Sequence, residues 1–133
     1  MLFIKRYEVI NEVDKINRYL NKCLWMDFEF CQMNGNQVIM SGSIYHSYNE
    51  YAIDIIFDQP YFSSSLFFWH TDTSEPFIQL VANEEEQNLI EKYDIEQGNY
   101  IFKISAEGFE EPPIYIAAKK ITCNILNTNP FPE

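Results

Sequence analysis

The stretch WMDFEFCQMNGNQVIMSGSIY, Trp25 to Tyr45, decides the fold class. Met26, Phe28 and Phe30 alternate with Asp27, Glu29 and Cys31. A period of two is that of a strand with one apolar and one polar face. Asn34-Gly35 follows, a pair that accepts the positive φ of a two-residue type I′ turn, so the stretch reads as a hairpin. The returning strand runs from about Gln37 to Tyr45, with Val38, Met40 and Ile44 on one face and Gly42 between them marking a bulge or a close approach.

Working outward, the period upstream is helical. Val13, Ile16, Leu20 and Cys23 recur at three and four residues, one stripe of an amphipathic helix from Asn11 to Cys23. Asn11 is the expected N-cap, and Asp14 and Lys22 carry the signs that the helix dipole favours at its two ends. Downstream, Tyr51, Ile53, Ile55 and Phe57 alternate with Asp54 and Asp58 in a third strand that Gln59-Pro60 closes. Leu66 to His70 and Phe77 to Ala82 read as further strands. Asn83 is the expected cap of a short helix near 84–93, whose first turn holds Glu84, Glu85 and Glu86. Tyr100, Phe102 and Ile104 resume alternation, and Ile114 to Ala118 with Ile121 to Leu126 form one long strand or two. The fold class is α+β: an N-terminal helix on a mainly antiparallel sheet of six to eight strands. With no repeat and no composition break, residues 1–126 read as one domain and 127–133 as a loose tail.

Composition agrees with a folded chain. Of 133 residues 47% are hydrophobic and 22% charged, and aromatics reach 17%, which favours pleated, half-buried surfaces. Cys23, Cys31 and Cys123 form no C-x-x-C pair and read as reduced thiols. Lys5 and Arg6 follow a short apolar run instead of preceding a long one, unlike a secretory signal. No run approaches the roughly 20 apolar residues of a membrane span. A cytoplasmic location is expected.

Charge is the distinctive feature. The formal net charge is -11, and no Lys or Arg occurs between Lys22 and Lys92, where eleven acidic residues lie. Such a field repels nucleic-acid phosphates and anionic lipid surfaces and attracts basic protein surfaces. Direct nucleic-acid or membrane binding is not expected.

Chemistry-bearing patterns are sparse. With four glycines there is no nucleotide-binding glycine loop. His46 and His70 could join Asp54, Asp58 or Asp72 as metal ligands or an acid–base pair, but the polar Thr71 to Ser74 run reads as a turn that would separate His70 from Asp72. Four residues apart on a strand, Asp54 and Asp58 stand roughly 13 Å from each other, too far to share a proton. Ser63-Ser64-Ser65 lacks the glycines of a nucleophile elbow, and Trp25 and Trp69 read as core. No catalytic residue, metal or cofactor is assigned.

In size, acidity, single-domain organisation and aromatic-rich α+β make-up the whole chain resembles bacterial immunity proteins, the partners of polymorphic and contact-dependent growth-inhibition toxins. The resemblance implies a toxin partner, often a nuclease with a basic active site, blocked by stoichiometric binding without catalysis. Independently of it, the charge map singles out Glu50, Asp54, Asp58, Asp72 and Glu75 as the surface for a basic protein partner. Two other classes fit the same composition: a small-ligand module with an aromatic-lined pocket between helix and sheet, and an adaptor subunit that associates through a strand edge or apolar patch.

Overall fold

The computed structural model describes residues 6–44, 50–64, 66–72, 76–107 and 113–131. Its elements run α1 (Arg6–Asn21), β1 (Trp25–Met33), β2 (Gln37–Ser43), β3 (Ile53–Ser64), β4 (Phe68–Asp72), β5 (Ile78–Leu80), α2 (Asn83–Tyr93), β6 (Tyr100–Ile104) and β7 (Ile114–Ile125). The seven strands form one sheet in the order β4-β1-β2-β3-β7-β6-β5, and every pairing is antiparallel. The α+β reading holds, with seven strands among the described residues.

The alternation in β1 to β3 does what its period requires. Met26, Phe28, Val38, Met40, Ile53, Ile55 and Phe57 are buried on the inner face together with Ile114, Ile116, Ala118, Ile121 and Cys123 of β7 and Phe102 and Ile104 of β6. Onto this face α1 lays Val9, Val13, Ile16, Tyr19 and Leu20. Phe28 stacks on Phe77 with centroids 4.3 Å apart and on Trp69 at 5.9 Å. Gly42 is the close approach its position implied: a Cβ there would stand 2.7 Å from Met26 Cγ and 2.8 Å from Phe28 Cε1.

Polar side chains of α1 finish the sheet where strands run out. Asn17 accepts from the backbone N–H groups of Phe77 and Ile78 and donates to the Ile78 carbonyl, so the edge strand β5 is covered by a side chain acting as a pseudo-strand. Beyond the residues of β7 that pair with β6, Glu12 accepts from the Cys123 N–H and Lys15 donates to its carbonyl. On the opposite face α2 packs Leu89 against Val81, Ile101 and Ala117, with Ile95, Phe62, Ile90, Tyr93 and Tyr115 around them. The two helices therefore cover opposite faces, α2 only over the β6–β7 end.

Several boundaries differ from expectation. Helix α1 starts five residues before Asn11. Asn34 and Gly35 do not take the positive φ of a type I′ turn; Asn34 Oδ1 instead accepts from the N–H groups of Asn36 and Gln37, closing a longer loop by an Asx bond. Gln59-Pro60 does not end β3. Gln59 turns through φ 50°, the register shifts between Pro60 and Phe62, and pairing with β7 resumes to Ser64, so the proline sits beside a bulge where a missing N–H is tolerated. Asn83 is not the cap of α2: Ala82 occupies that position without a side-chain bond, and Asn83 itself has φ 57°. Residues 127–131 are docked and not a loose tail, with the Asn127 N–H bonded to the Ala52 carbonyl, the Tyr19 hydroxyl donating to the Asn127 carbonyl, and the Phe131 ring edge-on to Trp25 at 4.6 Å.

Candidate functional site

With α2 confined to one end, the outer face of β4, β1, β2 and β3 is covered by no helix among the described residues. Its side chains follow from alternation and register. One transverse row runs Phe68, Glu29, Ser41, Asp54, Asn124 across five strands; a second runs His70, Asp27, Ser43; a third runs Gln37, Asp58, Lys120. Ile39, Ile56 and Thr122 fill the row between. Four carboxylates, those of Asp27, Glu29, Asp54 and Asp58, thus share one face of the central strands.

Three of the four are held by neutral donors. Ser41 Oγ, buried at 1% exposure, donates to Asp54 Oδ1 at 2.6 Å. Gln37 Nε2 donates to Asp58 Oδ1 at 3.0 Å. The Tyr51 hydroxyl donates to Glu29 Oε1, and its hydrogen bonds to Cys31 and Glu29, helped by burial, push the phenol well above its ordinary pKa. A neutral donor fixes a carboxylate's position without cancelling its charge. Tyr51 precedes β3 and reaches the outer face, whereas the expected strand from Tyr51 put it beside Ile53 and Ile55.

Asp27 is held differently: His70 Nδ1 lies 2.6 Å from its Oδ1, and His70 Nε2 is 3.4 Å from Glu107 Oε2. Strand β4 does not turn after His70 but runs to Asp72, and its backbone pairs His70 with Asp27 and Asp72 with Trp25. The imidazole has a carboxylate at each nitrogen. With the Glu107 N–H bonded to the His70 carbonyl, it ties β4 to the segment after β6. Among the described residues no group of three or more His, Cys, Asp or Glu is arranged to hold a metal.

Of the residues singled out by charge, Asp54 and Asp58 lie on this face, and Glu50 is exposed just before Tyr51. Glu75 and His46 lie outside the described residues, as does the side chain of Asp72. Asp27 and Glu29 belong to the site and were not singled out; the signal was available in the alternation of β1, since the β1–β2–β3 register puts Glu29 and Asp54 on either side of Ser41. Trp69 is core, 3% exposed, and Trp25 is half-buried against Phe131.

The space beneath α1 is filled by Phe28, Phe57, Phe77 and Phe102, all fully buried. A cleft of about 620 Å³ lies elsewhere, between α2 and the sheet, lined by Ser64, Glu84, Glu85, Asn88, Leu89, Lys92, Tyr93, Pro113 and Tyr115. No described helix is long and apolar enough to cross a membrane. The chain matches no protein-family model, and comparison with curated proteins and with solved structures finds no match either.

Proposed function

We propose that the chain is a non-catalytic binding protein of the immunity type, which neutralises a cognate antibacterial toxin by forming a stoichiometric complex through the outer face of β1, β2 and β3. The observation that carries this reading is the set of carboxylates at Glu29, Asp54 and Asp58, held in place by Tyr51, Ser41 and Gln37, donors that bring no positive charge of their own. Carboxylates anchored on central strands lose little freedom when a basic surface arrives, so their field serves both encounter and residence. Asp27, and Glu50 at the rim, extend the same field.

The test is growth of a bacterial host expressing the C-terminal domain of a toxin-like neighbour of its gene, with and without this protein, combined with binding rates across a salt series. Growth arrest relieved by this protein supports the proposal. So does an association rate that falls on the order of tenfold or more between low and physiological salt. Reversing Asp54 and Asp58 to lysine should remove most of that salt dependence. Absence of rescue and of a complex would overturn the reading.

A further inference from the structure

We infer that the cleft between α2 and the sheet is a second site, separate from the acidic outer face, and that it takes a small organic cation with an apolar stem. At about 620 Å³ it falls within the roughly 300–1,000 Å³ that small-molecule sites occupy. One wall comes from a single side of α2, where Glu84, Glu85, Asn88, Leu89 and Lys92 recur at helical spacing; the other comes from the ends of β3 and β7, at Ser64 and Tyr115.

The lining selects for charge and shape together. Tyr93 stacks one ring on Phe62 with centroids 4.2 Å apart, which fixes the ring, and Lys92 Nζ lies 5.3 Å from the Tyr93 centroid. The chain's own ammonium therefore sits at cation–π distance from a ring lining the cleft, in a place that a ligand cation can take over. Tyr115 is fixed too, its hydroxyl donating to Glu85 Oε2 at 2.7 Å. Lys103 Nζ meets the same oxygen at 3.1 Å. The Tyr115 hydrogen bond and Lys103 hold the Glu85 carboxyl below its ordinary pKa against the opposing effect of burial, so it is ionised at neutral pH. Both bonds fall on Oε2, and among the described residues the acceptor capacity of Oε1 remains for a ligand. Glu84 is exposed at the mouth. Of the two lysines at the cleft, Lys103 is engaged by Glu85. An anion would therefore find Lys92 alone against Glu84, Glu85 and a chain of net charge -11, whereas an ammonium or guanidinium that displaces Lys92 from the Tyr93 ring can be shared between carboxylate and ring while its stem lies on Leu89 and Pro113.

Three probes with a common phenolic body separate the contributions: tyramine is cationic, 4-ethylphenol neutral and 3-(4-hydroxyphenyl)propionate anionic. Titrated into the 15N-labelled protein, tyramine should give saturable shifts at residues 84–93 and 113–115, with affinity about tenfold above 4-ethylphenol, and the anion should give none. Glu84→Gln, which removes a charge from an exposed position, should weaken tyramine about threefold to tenfold and leave 4-ethylphenol unchanged. Asp54→Lys should not alter tyramine binding, so failure of the toxin-binding proposal leaves this one standing, and the reverse holds as well. Equal binding of the three probes, shifts that map to β1–β3, or no saturable shift would overturn the inference. A capped Gly-Lys-Gly peptide that binds these residues more tightly than tyramine would also overturn it, assigning the cleft to a protein side chain.

Discussion

Replacing Gly42 by alanine should destabilise the protein although it adds only a methyl group. The new Cβ would meet Met26 Cγ at 2.7 Å, Phe28 Cε1 at 2.8 Å and Ile53 Cγ2 at 3.1 Å, all on side chains with no exposed surface. Met26 has freedom to move, but Phe28 is stacked on both Phe77 and Trp69 and cannot shift alone. Forcing a methyl into such a core costs about 1–3 kcal/mol. Gly42 does not have a positive φ, so alanine also stiffens the unfolded chain and returns about 0.4–1 kcal/mol. Taken at the middle of both ranges the net loss should be about 1.3 kcal/mol, which for a domain of this size lowers Tm by roughly 4–5 °C. Urea unfolding followed by tryptophan fluorescence and circular dichroism would read it, with the midpoint falling and the slope unchanged. Gly35→Ala is the matched control, because nothing lies within 4 Å of its Cβ position, and it should leave the midpoint level or slightly raised. A Gly42→Ala protein as stable as the parent would refute the close approach of β2 to its neighbours and the inner-face packing built on it.

Three further outcomes follow from single contacts. Tyr19→Phe removes the hydroxyl that bonds the Asn127 carbonyl and should cost about 1 kcal/mol, while loosened docking of Phe131 on Trp25 shifts tryptophan emission to the red; unchanged emission would argue against that docking. Burial raises the thiol pKa of Cys23 and of Cys123, and Cys31 is exposed, so a thiol reagent at pH 8 should label one cysteine quickly and the other two only on unfolding, as mass spectrometry of the labelled peptides would show. The folded Glu85 carboxyl has a lowered pKa, first through the Tyr115 hydroxyl and then through Lys103. Its contribution is therefore present above the unfolded carboxyl pKa and is lost as pH falls through the folded one. Glu85→Gln should lower stability by at most about 1 kcal/mol at pH 7, given the exposure of the pair, and the difference should shrink below about pH 4; a difference that grows on acidification would reverse the assignment.

What could be read from the chain, and what could not, divides by the range of the forces involved. The stripe of Val13, Ile16 and Leu20 and the alternation of Met26 with Asp27 are local, and both elements bury the face their periods mark, although α1 runs from Arg6 to Asn21 and not from Asn11 to Cys23. Gln59-Pro60 misleads because a proline removes one donor and says nothing of what lies opposite. Here Ala117 and Ala118 of β7 lie across the bulge, more than fifty residues away, and they let the strand continue. The tail misleads for the same reason: its polar composition gives no hint that Ala52 and Tyr19 supply bonding partners for Asn127. The site was half visible. Asp54 and Asp58 are set by one strand's period, but Glu29 joins Asp54 only through a Ser41 that pairs with both, and that depends on the registers of two hairpin partners.

The acidic face carries a cost that the free protein should show. Asp54 and Glu29 lie two strands apart on either side of Ser41, which is roughly 10 Å at the usual strand spacing. Two unit charges at that distance repel by about 0.4 kcal/mol in water, and Asp27, in the neighbouring row, adds a smaller amount. Screening lengths of about 8–10 Å at moderate salt remove most of this. Asp54→Asn keeps an Oδ1 acceptor for Ser41 and deletes the charge, so it should be as stable as the parent or more stable by about 0.5 kcal/mol at low salt, the advantage fading as salt rises. Glu96→Gln, at an exposed position after α2, should show neither effect. Thermal melts at 20 and 300 mM NaCl would decide. An Asp54→Asn protein less stable than the parent at both salts would make Asp54 a structural partner of Ser41. A stabilised variant that no longer holds its partner would mark a face whose charge is kept for binding against the interest of folding.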